Sequence, residues 1–205
     1  MTTGALTTGA LTTGASTTGG FGDYPALLDA LHADVASGRF VASPSGRVLA
    51  SARALGGDGT RRFTRFGLAC VPAPGGSARD DVTAGRFAEG LLTLQREVVH
   101  RTLTHTIARL GERASEGTSL LTRPQLQADL ADVAMELQEA AAEPAEETGR
   151  DVRWARHLRL TRAGRVLLRL LGGYSMLAEG PGVDLYLAEV TGNVYLQPEA
   201  GDGDV

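Results

Sequence analysis

TAGRFAEGLLTLQREVVHRTLTHTIARLG, residues 83–111, carries Phe87, Leu91, Leu94, Val98, Leu103, Ile107 and Leu110 at intervals of three to five residues. Side chains three and four apart share one face of an α-helix, so this spacing predicts a single long helix with one buried stripe, beginning at Thr83 and closed near Gly111. The sequence downstream repeats the pattern. A second helix is expected from Pro124, where proline suits the first turn, through Leu126, Leu130, Val133 and Leu137 to Ala140–Ala142. A third runs from Val152 to Leu171 with Trp154, Leu158, Val166, Leu167 and Leu170 on its apolar face, closed by Gly172 and Gly173. A fourth, shorter one spans Pro181 to Thr191. Long amphipathic helices on short connections pack as antiparallel neighbours, so the fold class is mainly α and the expected architecture is an antiparallel four-helix bundle over residues 83–196.

Upstream the pattern weakens. Residues 2–20 read TTGALTTGALTTGASTTGG, a five-residue repeat without charge and with few large apolar groups, so the segment 1–22 is expected to be a disordered tail. DYPALLDALHADVA, residues 23–36, places Leu27, Leu28, Leu31 and Val35 at helical spacing, and Gly38 is placed to stop the helix. Between Pro44 and Val71 several glycines separate two apolar runs, Arg47 to Ala50 and Phe63 to Val71, which read as short strands or a hairpin. PAPGGSARDD, residues 72–81, reads as a linker. Residues 23–82 are thus expected to form a small appendage to the bundle. The acidic stretch 143–151 is expected to be a hydrated connector, and 197–205 an acidic disordered tail.

Composition narrows the function. At 205 residues and 42% hydrophobic, the chain can bury one core. Its net charge of -4 speaks against a nucleic-acid partner, which calls for a basic stripe. No apolar run approaches the roughly 20 residues that span a bilayer, and the first residues lack the basic start and apolar run of a secretory signal. The lone Cys70 cannot form an internal disulfide and suits a reducing cytoplasm. Every basic side chain other than histidine is arginine. The histidines offer no metal site: His100 and His105, five apart, diverge around a helix instead of sharing a face. Gly56-Gly57-Asp58-Gly59 lacks the Lys-Ser/Thr that would make a phosphate loop, and the serines sit in no nucleophile elbow.

The stretch LLGGYSMLAEGPGVDLYLAEVTGNVY, residues 170–195, contains Gly172-Gly173-Tyr174, Glu179-Gly180-Pro181, Leu185-Tyr186 and Tyr195. GERASEGTSLLTRPQLQADLADVAMEL, residues 111–137, contains Glu112-Arg113, Gly117 and Leu130-Ala131-Asp132. In order and spacing these resemble the C-terminal helical domain of the acyl-CoA dehydrogenases. There a Gly-Gly-aromatic turn closes a helix, an acidic-Gly/Tyr-Pro step follows, and a Leu-Tyr helix leads to a final tyrosine. The resemblance covers about residues 83–196. It implies a flavoprotein fold whose domain pairs with a copy in a neighbouring subunit, the Arg turn and the Gly-Gly turn reaching across to the FAD diphosphate and adenine. On that basis Arg113, Ser115, Gly172 and Gly173 are the expected cofactor contacts, and Arg86 and Tyr195 the expected contacts to an acyl thioester substrate.

The departures bear on activity. The family's proton-abstracting glutamate follows the final tyrosine in many members, and here that position is Leu196. Other members place the base early in the domain's first helix, where the register puts Phe87. Glu89 is the nearest carboxylate, but two residues along a helix turn by about 200°, which points it away from that face. The family's Phe of the Arg-x-x-Phe-Gly turn is Glu116, its Phe-Gln pair is Arg123-Pro124, and its Gln-x-His is Arg169-Leu170-Leu171. Residues 21–82 are too few to supply the N-terminal helical domain and β-domain of full members. The expectation is therefore a truncated acyl-CoA dehydrogenase-like protein without a catalytic carboxylate. It would act as a partner subunit that shares FAD with a longer homologue, or as a non-catalytic dimer in a biosynthetic pathway. The alternative is an active FAD-dependent dehydrogenase using Glu89.

Overall fold

In the computed structural model the protein is described over residues 21–56, 61–142, 149–177 and 180–198. The Thr/Gly repeat, the Gly57–Asp58–Gly59 turn, most of the acidic connector, Glu179 and the tail from 199 onward lie outside the described residues.

The fold is mainly helical: α1 (Tyr24–Ala36), a single turn α2 (Arg61–Thr64), α3 (Asp81–Glu112), α4 (Pro124–Ala142), α5 (Arg150–Leu171) and α6 (Pro181–Tyr195). Helix α3 starts two residues before the apolar pattern does, because Asp80 serves as its N-cap, the carboxylate accepting from the Thr83 amide at 2.8 Å. It also outruns Gly111. The Ser119 hydroxyl donates to the carbonyls of Leu110 and Gly111, satisfying the end of the helix from across a two-residue hairpin. That hairpin pairs β3 (Ala114–Ser115) with β4 (Thr118–Ser119). Its turn residues Glu116 and Gly117 both have positive φ, 56° and 81°, the geometry of a type I′ turn.

Helices α3 and α5 run parallel, Glu89 meeting Arg153 and Arg156 while Gln95 meets His157 and Thr161. Helix α6 runs the opposite way, Gly164 lying against Leu185 and His157 against Gly192. Helix α4 is also antiparallel to α3, since Gly111 meets Leu121 just before α4 and Glu89 and Leu92 share a groove with Ala140 and Ala141 at its end. Each of α4 and α6 packs on both central helices. The result is the expected up-down-up-down bundle.

Helix α6 runs four residues past the expected stop. Thr191 and Gly192 look like helix breakers, yet the Thr191 hydroxyl bonds the Leu187 carbonyl and the Tyr24 hydroxyl, and Gly192 accommodates the buried His157 ring. Tertiary packing overrides local propensity there.

Residues 23–82, the expected appendage, pack on the bundle and share its core. The strands β1 (Arg47–Ser51) and β2 (Leu68–Pro72) do make the antiparallel hairpin, in register Leu49↔Cys70, although the second strand begins only at Leu68 because Phe63 belongs to α2. Tyr24, Leu28, Val41, Leu49 and Leu68 are buried in one core with Phe87, Leu91, Val98, Leu187 and Tyr195. His32 ties the pieces together: its Nδ1 accepts from the Val41 amide at 3.1 Å, so Nε2 carries the proton and donates to the Leu49 carbonyl at 2.8 Å. Its ring stacks on Phe87 with centroids 4.5 Å apart. The expected linker 72–81 is also held in place, Ala42 donating to the Ala78 carbonyl and Ala78 to that of Phe40.

Candidate functional site

Because α3 and α5 are parallel, their first turns lie at one end of the bundle and their last turns at the other. The expected site residues divide between these ends.

At the first end is a cleft of about 530 Å³. The buried side chains of Val41, Phe87, Ala88 and Leu196 lie behind it. The ring of Tyr195 forms part of the wall, 4.9 Å from Phe87. Arg79, Arg150 and Arg153 line the cleft beside Ser43 and Asp81.

The hydroxyl of Tyr195, an expected substrate contact, is engaged by backbone of the chain itself. The side chain is 8% exposed, and its hydroxyl accepts from the Leu49 amide at 2.9 Å and donates to the Val41 carbonyl at 3.2 Å. Burial pushes the phenol well above its ordinary value. Arg86 is exposed and is not among the residues lining the cleft. Glu89 is on α3 but faces α5, with Arg156 at 3.5 Å and Arg153 at 3.7 Å. Glu89 does not line the cleft.

At the opposite end, Arg113 is exposed where α3 meets the β3–β4 hairpin, its carbonyl accepting from Leu120. Ser115 lies on that hairpin, its hydroxyl accepting from Arg123 at 3.0 Å. Gly172 and Gly173 are exposed after α5, Gly172 at a φ of 60° that favours glycine. Tyr174 links this turn to α3, stacking on His105 at 5.4 Å and lying under the Arg109 guanidinium at 4.8 Å. The two motif turns therefore sit at one end of the bundle.

Compared with family models, curated proteins and solved structures, the chain matches none of them.

Two polar centres escaped sequence reading. Asp184 is fully buried on α6, its carboxylate accepting from the Gly22 amide at 3.0 and 3.1 Å and facing Arg101, which also grips Asp23. Burial raises its pKa, against the lowering by Gly22 and Arg101. His157, also fully buried, donates from Nδ1 to Gln95 Oε1 at 2.9 Å, with the Asn193 side chain 3.1 Å from Nε2. Burial lowers the pKa of both His157 and His32. These groups lock elements together. An arginine count alone could have flagged the first cleft, since Arg150 and Arg153 begin one helix, but only the fold brings Arg79 beside them. Among the described residues no group of three His, Cys, Asp or Glu side chains could hold a metal, and no helix is long and apolar enough to cross a membrane.

Proposed function

We propose that the protein is a non-catalytic relative of the acyl-CoA dehydrogenases, whose helical bundle serves as a partner subunit and lends the edge formed by Arg113, Ser115, Gly172 and Gly173 to a flavin held mainly by a longer homologue. The observation that supports this reading is a convergence. The family's two alternative base positions correspond to Phe87 and Leu196, more than a hundred residues apart in sequence, and both line one cleft. A chance resemblance would not be expected to bring them together. Both positions hold side chains that cannot take a proton, and the neighbouring Glu89 is paired with Arg153 and Arg156 and does not line the cleft, which disfavours the active-dehydrogenase alternative.

The fit of FAD to this chain is one-sided. A Cβ built on Gly172 or Gly173 meets nothing within 4 Å, and Arg113 is exposed, so these residues make an open edge and no enclosure. Arg113 can give a diphosphate two donors, and the glycines allow backbone to approach a ring. A second chain must supply the rest. The face around Phe87 and Tyr195 is covered by the chain's own α1 and hairpin.

The test is the visible spectrum. The protein purified alone should be colourless, and co-expression with a full-length acyl-CoA dehydrogenase homologue should yield a yellow complex that loses flavin faster when Arg113 is alanine. A protein that is yellow alone and bleached by an acyl-CoA refutes the proposal, and unchanged flavin retention in R113A removes the role of Arg113.

A further inference from the structure

Midway along the bundle, beside the Gln95–His157 pair, a hollow of about 140 Å³ lies between α3, α5 and α6. Its wall is mostly apolar, made by Val99 of α3, Leu160 and Leu168 of α5, and Leu185 and Ala188 of α6. The polar side chains that share the wall are already engaged. Gln95, which is buried, accepts from His157 at 2.9 Å and donates to the Thr161 hydroxyl at 3.1 Å. At the mouth Arg165 is ion-paired with Glu189, beside the half-buried Leu168 and the exposed Tyr186.

A hollow in a helical core costs stability, because the atoms lining it lose contact partners, and the cost falls as the surrounding helices close in. Here closure is opposed from two sides. Helices α5 and α6 already touch at Gly164, where even a Cβ would lie 2.9 Å from Leu185 Cδ2. Gln95 fixes α3 to α5 through His157 and Thr161, and the His157 ring in turn fills the space over Gly192 of α6. The packing therefore props the hollow open.

We propose that this hollow is a binding site for one small uncharged apolar molecule, the size of a single aromatic ring or a short branched chain, which enters past Tyr186 and the Arg165–Glu189 pair. Its volume is close to the roughly 150 Å³ at which an apolar cavity admits benzene. A charged ligand would be stripped of water and meet polar side chains that are already paired, which selects against it. The assignment rests on the packing of α3, α5 and α6 and does not require the flavin-enzyme reading.

Titration of the full chain with toluene tests it, followed by methyl NMR and by thermal melting, with benzoate as a charged control of similar size. Toluene should saturate one site, shift the methyl signals of Val99, Leu160, Leu185 and Ala188, and raise the melting temperature by a few degrees. Benzoate should bind at least about tenfold more weakly. Ala188→Leu, which places a larger side chain in the hollow, should abolish toluene binding while the variant alone melts no lower than the parent, as expected when a cavity is filled. Leu168→Phe narrows the half-buried mouth without altering the core and should weaken binding several-fold, so the test stands even if the first variant does not fold. The proposal is overturned if toluene shows no saturable site or shifts methyls elsewhere in the chain. Equal binding of benzoate, or a folded variant of either kind that binds toluene as the parent does, overturns it as well. A negative flavin experiment leaves all these outcomes unaffected, so the two readings fail separately.

Discussion

Replacing Gly192 by alanine should destabilise the protein, although helix propensity argues for the reverse. Gly192 lies inside α6, where alanine is ordinarily favoured by about 1 kcal/mol. A Cβ there, however, would lie 2.1 Å from Cε1, 2.2 Å from Nδ1 and 2.8 Å from Nε2 of His157. Ordinary carbon contacts need 3.5 Å or more, so the ring must retreat by more than an ångström. It has little room to do so, being fully buried, held by Gln95 at 2.9 Å and backed by Trp154 at 5.2 Å between centroids. Overpacking of this kind costs about 2 kcal/mol and stranding a buried hydrogen-bond pair about 2 more, which leaves a net loss of about 3 kcal/mol after the propensity gain. At this chain length that corresponds to a melting temperature lower by about 6–12 °C. Urea unfolding of G192A should show it, with G173A as control, since a Cβ on Gly173 meets nothing within 4 Å. The double variant G192A/H157A should be more stable than the sum of the two single losses implies, because the clash is removed with the ring. A G192A protein as stable as the parent would refute the close packing of α5 against α6.

Tyr195→Phe should cost about 1–3 kcal/mol by leaving the buried Leu49 amide without its acceptor, and hydrogen exchange at Leu49 should accelerate. Glu89→Gln should lower stability by about 1–2 kcal/mol through its arginine partners, while any oxidation of an acyl thioester by a co-purified complex should be unaffected; a complete loss of that activity would restore Glu89 as a base. Stability should fall on acidification. His32 and His157 have pKa values lowered by burial, so below their unfolded value of about 6.5 the unfolded chain binds more protons than the folded one. Their contribution is fully present above that pH and is lost progressively as pH falls towards their folded values, which urea midpoints at pH 7.5 and 5.5 would reveal. His32→Gln should flatten that slope, and an unchanged slope would mean that His32 is not held neutral.

How much of this was legible beforehand differs from element to element. The four bundle helices were readable because each carries an apolar stripe of period near 3.6, and their starts were marked by Pro124 and Pro181 and their stops by glycine or a change of pattern. The hairpin of residues 47–72 was visible only in outline, because β1 is buried at three successive positions, Val48, Leu49 and Ala50, instead of alternating with polar residues. The site was less legible. Arg113 and the Gly-Gly turn could be picked out as motifs, but Tyr195, expected to touch a ligand, spends its hydroxyl on the backbone of the hairpin. The cleft arginines carry no motif, since their grouping depends on α3 and α5 running parallel.

The sequence by itself determined a mainly helical chain, the extents of its long helices within a few residues, and the absence of a proton acceptor at positions 87 and 196, all properties carried by residue identity and short-range spacing. Only the tertiary structure decided that residues 23–82 share the bundle's core, that Gly192 continues a helix it ought to end, and that Arg79, Arg150 and Arg153 line one cleft. Those outcomes rest on contacts between segments distant along the chain, where burial and hydrogen bonding outweigh any local preference.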